Sequence, residues 1–518
     1  MDQPDGLATN FRRLSTFITQ PKVTHFGKRS GWMSIPKLRE GLPPLLEQLE
    51  HDQAQKMGPR NLYDPALLQK AIDNYKRLSV HRMPKLAYLE CERIALDINK
   101  SLHIPLVPMP KDLALQQMLW RTKSTSAGYP FFKSREVVCA QYLSKTFALQ
   151  NPERYEADIK NWRAIGSPDI LTMEPIATYS ANYRTEAGVG GCKVRLVHAA
   201  PLANQLLEAQ YALPLQNELA VMTSHEDEAR GQLFTYMNPG LLHALIHSNI
   251  NYALDWQVPC ISIDYSQFDA HISQDLIFLA FEVLFGSAEE WDEVQQLIVN
   301  NFTFKQLLTP WRMEEFTGGV PSGSVFTNLI DSAANAICLH YVADNSPVLL
   351  RVNGDDAIAV FQEGITIEDL TKRALILGLE IHPDKQAVSE NSFQFNKAYH
   401  GLEYDGAVPS ENRIVNSSRY YDSQMKGLGP DGHTLSADAE ILRTLQILQQ
   451  CEFHPYRADI LRRFAEPNID GVMLIDYRVR LRRALEEYGS KEIPFNVPFE
   501  KDLDNSWIAG MYDVLEDK

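Results

Sequence analysis

A chain of 518 residues with 44% hydrophobic content can bury a large core, and at roughly 100–200 residues per compact unit it has room for two to four of them. A formal charge of −16 and a pI near 5.4 argue against a nucleic-acid protein that works through an exposed basic surface. No unbroken apolar run approaches the ~20 residues of a bilayer span, MDQPDGLATN lacks a signal-peptide pattern, and six scattered cysteines without paired zinc spacing read as reduced packing residues of a cytosolic protein.

In chain order, the arm 1–50 mixes proline with basic residues and suits an extended strap. At 260–273, CISIDYSQFDAHIS predicts an apolar strand ending in Asp264, with a second acid at Asp269. DLIFLAFEVLF at 275–285 predicts an apolar helix. GGVPSGSVFTNLIDSAANAI at 318–337 predicts a Gly/Pro/Ser loop running into another helix. Its glycines allow close backbone approach, and the helix start offers N–H groups to a phosphate or sugar. RVNGDDAIAV at 351–360 predicts a tight hairpin with Asp355 and Asp356 at its tip, between apolar arms at 348–352 and 357–361. Beyond 406, AEILRTLQILQQ (439–450), RADILRRF (457–464) and YRVRLRRALEEY (477–488) have amphipathic helical spacing. The tail holds Trp507 and Tyr512, which could stack on a base or simply dock.

A Gly-Asp-Asp turn by itself also occurs as a solvated bend, and a lone acid often ends a strand. Together, Asp264 and Asp355 on separate strands could share two divalent cations. Mg²⁺ suits them as a hard ion that takes carboxylate oxygens and completes its shell with water and substrate phosphates. Two such ions about 3.5–4 Å apart would stabilise the attacking and leaving oxygens of an in-line phosphoryl displacement.

These blocks resemble those of viral RNA-dependent RNA polymerases of the picornavirus-like supergroup. STSAGYPF (124–131) is similar to that family's template loop, and YRTEAGVGGCKVRLVHAA (183–200) to its basic nucleotide finger. LGLEIHPDKQ (377–386) and FQFNKAYHG (393–401) resemble the helix-turn and primer-grip hairpin that follow the paired acids. Seven blocks in unpermuted order span 124–401. The resemblance implies an α+β right-hand fold of fingers, palm and thumb, with an antiparallel palm sheet backed by helices and encircled by finger–thumb contacts. Fingers would occupy 1–215, with a return at 302–320; the palm 216–301 and 321–405; the thumb and tail 406–518.

Carried over residue by residue, the resemblance makes Asp264 and Asp355 metal ligands, with Asp356 a looser one. Arg184, Lys193 and Arg195 would hold the incoming triphosphate, and their charge would neutralise the leaving pyrophosphate. Lys385 would protonate it as a general acid. Asp269 would read the ribose 2′-hydroxyl, with Ser322 and Thr327 as neighbours. Asp331 stands where picornavirus-type enzymes carry asparagine. Two nearby carboxylates repel unless one holds a proton or a cation intervenes, so either the pair is coupled or Asn328 supplies the missing amide. Ser124, Ser126, Gly128, Gly323 and Lys397 would contact RNA.

The acidic charge is compatible with this if the basic groups face inward, Lys123 and Lys133 among them. Size, FTNLIDS, HPDKQ and Asp331 are most similar to polymerases of small bisegmented double-stranded RNA viruses, picobirnaviruses first and partitiviruses next. That implies primer-free RNA synthesis on RNA with Mg²⁺ or Mn²⁺, in a virion interior and host cytoplasm, with RNA, ribonucleoside triphosphates and a capsid protein as partners and no membrane. The rivals are a reverse transcriptase and a catalytically idle RNA-packaging protein with the same fold.

Overall fold

The computed structural model describes residues 25–26, 37–56, 64–122, 126–132, 135–139, 170–188, 191–222, 250–343, 347–361, 365–382, 386–421, 451 and 453–460. Lys123, Ser124, Lys133, Lys385, the tail and most of the three predicted C-terminal helices lie outside the described residues, as does the Lys193 side chain. The chain divides into two compact units. One comprises 1–20, 64–184 and 195–391, and the other 21–63, 185–194 and 392–518.

The first unit is built on a four-stranded antiparallel sheet in the order Pro347–Asn353, Asp356–Phe361, Cys260–Ile263, Ala387–Ser389. Its two central strands read as continuous apolar runs because each is flanked on both edges, and all four residues of Cys260–Ile263 are buried. Helices Gln274–Phe285 and Thr327–Val342 pack on one another, and Gln274–Phe285 also packs on Lys85–Leu102. Ser273 caps the first of these by accepting from the Leu276 amide. Thr327–Val342 is buried almost throughout; Ala333, Ala334 and Ala336 keep its girth small enough to be enclosed. Phe281, Phe302, Ile263, Val352 and Ile337 belong to one continuous apolar core.

A second four-stranded sheet joins Gly191–Ala199, Thr178–Gly188, Phe304–Leu308 and Met313–Thr317 in that order. Phe304–Leu308 runs parallel to Thr178–Gly188 and antiparallel to Met313–Thr317. The segment between the Asp264 strand and the glycine loop thus returns to the sheet of the basic strands. Helix Pro65–Leu78, capped by the Asp64 side chain, buries Leu68, Ile72 and Tyr75.

In the second unit, Ser392–Phe395 and Ala398–Gly401 form a hairpin with Val408–Pro409 as third strand. Asn396 and Lys397 both have positive φ, as a two-residue hairpin turn with matching twist requires. Glu50, on helix Pro44–Gln55, accepts from Ser410 Oγ at 2.6 Å and from Asn412 Nδ2 at 2.9 Å. Burial pushes this carboxyl up, but His454, Ser410 and the amides of Glu411 and Asn412 outweigh that and hold it below its ordinary value. It thereby satisfies the start of helix Glu411–Arg419. Cys91, Cys139, Cys260, Cys338 and Cys451 are buried and form no disulfide.

Candidate active site

The acids converge because of strand register. Ile263 pairs with Ala357 and Asn353 with Asp356, so Asp264, the next residue along, leaves its strand opposite Asp356. The hairpin loop between Pro347–Asn353 and Asp356–Phe361 is only Gly354 and Asp355. Gly354 has φ +62°, the left-handed value a Gly-first hairpin turn needs. Asp355 is exposed at the tip, and Asp356 is half-buried.

Two residues of helix Thr327–Val342 hold this tip. Ser332 Oγ accepts from the Gly354 amide at 2.9 Å, and Asn335 Nδ2 donates to Gly354 O at 3.0 Å. Tyr265 OH donates to Asn335 Oδ1 at 2.9 Å, which links the strand of Asp264 to the same turn. Gln386 fixes Asp264 from the other side: its Nε2 donates to Asp264 O at 2.8 Å and its Oε1 accepts from the Asp264 amide at 3.3 Å.

Asp269 lies on the one-turn helix Phe268–His271, entered through Gln267 at φ +48°. Burial and then Asp355 push its carboxyl up to about 6, with the Arg195 guanidinium pulling the other way. Asp331 is driven well above its ordinary value, by burial and then by Asp269 and Asp355. Its Oδ1 is buried without a hydrogen-bond partner. Three acids therefore share one electrostatic neighbourhood, in which burial and like charge both disfavour ionised Asp331.

Asn328 lies on the same helix as Asp331. Its Nδ2 donates to Asn353 Oδ1 at 3.1 Å, while its Oδ1 is buried and unpaired. Ser322 is exposed, and its Oγ accepts from the His198 amide at 3.0 Å. The Thr327 hydroxyl sits between Pro321 O and Ser324 O, closing the loop on itself. A Cβ on Gly128, at φ +67°, would lie 2.3 Å from Ala200 O, so this residue is pressed on the basic strand's exit. Ser126 Oγ accepts from the Gly128 amide at 3.1 Å. Arg184 and Arg195 are exposed on the two basic strands, and Lys397 is exposed at the hairpin turn of the second unit.

The glycine loop has supports that sequence reading misses. Tyr75 OH donates to Val320 O, and a Cβ on Gly319 would meet the Tyr75 ring at 2.3 Å. Val320 N in turn donates to Asp269 O at 2.8 Å. No local pattern marks Tyr75, Ser332, Asn335 or Gln386, because each acts across a long sequence gap.

The donor set is all carboxylate oxygen, as a hard divalent cation requires. Among the described residues no three His, Cys, Asp or Glu side chains gather as a self-sufficient metal cage. Such a site is completed by substrate phosphates and water.

The sequence profile of the viral RNA-dependent RNA polymerase family matches residues 61–454. This chain belongs to that family. The polymerase is 22% identical to the potential RNA-dependent RNA polymerase of Human picobirnavirus (strain Human/Thailand/Hy005102/-) over 454 residues, 81% of this chain and 75% of the relative. It is 25% identical over 282 residues to the RNA-directed RNA polymerase of Cryptosporidium parvum virus 1 (strain KSU-1), covering 51% of this chain and 49% of that one. The crystal structure of a human picobirnavirus RNA-dependent RNA polymerase superposes with a TM-score of 0.69 at 16% identity, covering 99% of this chain and 96% of that one. Its insertion-loop deletion mutant gives 0.67 at 16% identity, over 94% and 98%.

The polymerase therefore synthesises RNA on an RNA template, with ribonucleoside triphosphates as substrates and divalent cations as the family's cofactor. The α+β polymerase fold is the expected one, and nothing favours reverse transcription. No helix among the described residues is long and apolar enough to cross a membrane.

Proposed function

We propose that this polymerase works by two-cation nucleotidyl transfer, with Asp264 and Asp355 holding the ions and Asp356 supporting the second more loosely. The observation that carries this is the Ile263–Ala357 register, which brings the end of one acidic strand beside the two-residue acidic turn. The oxygen donors fit Mg²⁺, with Mn²⁺ as a substitute. Bound there, the ions would lower the cost of forming the attacking 3′-oxyanion and of releasing pyrophosphate.

The chain's own residues do the rest. Arg184, Lys193 and Arg195 balance charge on the triphosphate, and Lys385 delivers a proton to the leaving pyrophosphate. Asp269 and Ser322 read the ribose 2′-hydroxyl, which separates RNA from DNA. Asp331, kept protonated by burial and then by its two acidic neighbours, is a donor to the same substrate; its unpaired buried oxygen supports that role. Ser124, Ser126, Gly128, Gly323 and Lys397 contact RNA.

In this reading the fingers span 1–215 and return at 302–320, the palm comprises 216–301 and 321–405, and 406–518 forms the thumb and tail. Synthesis starts without a primer, and the enzyme acts in the virion interior beside capsid protein as well as in host cytoplasm. The similarity to double-stranded RNA virus polymerases supports this. The test is primer-free extension on single-stranded RNA with Mg²⁺, comparing NTPs with dNTPs, beside Asp355→Ala. Wild-type product from NTPs alone, abolished in the variant, is expected. Product that survives Asp355→Ala would sink the assignment.

A further inference from the structure

The loop 318–325 is held at both ends by buried ionisable side chains that the two-cation chemistry does not use. At its start, Lys305 on strand Phe304–Leu308 is buried, and its Nζ donates to Phe302 O at 2.9 Å, Gly318 O at 2.7 Å and Gly319 O at 2.7 Å. An ammonium has three protons, and all three are taken. At its end, Glu208 on helix Leu202–Met222 is also buried. Its Oε2 accepts from Ser324 Oγ and from the Val325 amide, both at 2.7 Å. Its Oε1 accepts from Asn204 Nδ2 at 3.0 Å, and Asn204 Oδ1 accepts from Asn301 Nδ2 at 3.0 Å.

Between these anchors the loop reaches the acid cluster. Val320 N donates to Asp269 O, and Ser322 Oγ accepts from the His198 amide. Gly318 and Gly319 have φ of +80° and +68°, and their amides donate to Thr303 O at 3.0 Å and Ile272 O at 2.7 Å, so Lys305 satisfies the carbonyl side of a backbone already tied through its N–H groups. Burying a charge without an opposite charge is costly, and a well-packed apolar side chain would serve stability at least as well. Burial pushes the Lys305 ammonium down and the Glu208 carboxyl up, each to about 7, so what the two side chains add is direction: Lys305 offers protons and Glu208 accepts them only at specific loop groups, which selects one path for the loop.

We propose that Lys305 and Glu208 are positioning residues that pin the two ends of the 318–325 loop and thereby set Asp269 and Ser322 against the sugar of the incoming nucleotide. The proposal rests on the reading that Asp269 and Ser322 contact that sugar. Neither anchor touches substrate.

The experiment uses the full chain with Lys305→Met, Glu208→Leu and Glu208→Gln, measuring kcat, KM and ribo-over-deoxyribonucleotide preference in primed extension with Mg²⁺. Hydrogen exchange of amides 318–325 is followed in parallel. Lys305→Met and Glu208→Leu are expected to raise KM and lower sugar preference by about tenfold, with kcat at saturating NTP changed far less. Both should speed exchange in the loop. Glu208→Gln keeps an acceptor for Val325 and is expected to restore KM, preference and slow exchange. If Lys305→Met does not fold, the contrast between the two Glu208 variants decides. Wild-type KM and preference in Lys305→Met and Glu208→Leu would overturn the proposal, as would an equal fall of kcat for all substrates. Should Asp269→Ala leave sugar preference intact, the sugar reading fails on its own; loop exchange then decides, faster exchange upholding the anchors and unchanged exchange overturning them.

Discussion

Gly323 lies backbone to backbone against His198: a Cβ on the glycine would sit 2.0 Å from His198 O and 2.9 Å from Ala200 N. The glycine loop and the exit of the basic strand therefore meet where no side chain fits. Gly323→Ala forces them apart, at a cost of about 1–3 kcal/mol, and moves Ser322 away from the His198 amide. Extension should fall roughly tenfold or more, which parallel activity and thermal-unfolding measurements would register. Full activity in the alanine variant would show that the contact is slack.

Asp355 is exposed at the hairpin tip and carries no burial that the fold depends on. Asp355→Asn and Asp264→Asn should each cut kcat by about a thousandfold while moving the unfolding midpoint little. Single-turnover extension beside a thermal melt checks this; a large loss of stability in place of activity would point to a structural role.

Asp331 gives a dependence of stability on pH with a definite sign. Its carboxyl is held well above 3.8 in the fold, so it stabilises the fold at low pH, and that contribution is lost as pH rises through the raised value. Asparagine removes the ionisation. Asp331→Asn is thus expected to melt higher than wild type at pH 8, with the gap closing toward pH 4. An equal offset at both pH values would mean that the acid is not neutralised by folding.

His198 gives the opposite slope. It is buried, neither ring nitrogen has a hydrogen-bond partner, and burial followed by the Lys305 charge pushes its pKa down to about 3. Between pH 6.5 and 3 the unfolded chain binds that proton and the folded one does not, so stability falls as pH drops, by up to about 1.4 kcal/mol per pH unit. His198→Phe should flatten this limb in acid-denaturation curves. The ring's neighbours Tyr75, Tyr179 and Phe316 give the phenyl group an aromatic setting. An unchanged slope would assign the acid limb to other groups.

Template affinity is expected to fall steeply with salt despite the net charge of −16, since counterions leave the RNA wherever Arg or Lys replaces them. Binding measured from low to moderate salt tests this. A flat response would remove a charged RNA channel from the account.

The local elements that carry the candidate site were legible in the linear chain. Asp264, Asp269 and the Gly-Asp-Asp turn sit in short local patterns, a strand followed by a turn or a hairpin with a two-residue loop, and local patterns survive translation into structure. The helix at 275–285 and the one into which the 318–337 loop runs are visible as apolar runs and are found at Gln274–Phe285 and Thr327–Val342. The state of Asp331 was not legible. It depends on how far burial and two acids on other elements disfavour its charge.

Residue types and spacing by themselves determined which chemistry this protein can perform, because oxygen donors, glycine turns and strand alternation are properties of neighbours along the chain. Only the folded arrangement decided who holds those groups in place. Tyr75, Glu208, Lys305, Ser332, Asn335 and Gln386 act across long gaps in sequence. A hydrogen bond made across such a gap leaves no periodic trace in the chain, so packing alone reveals it.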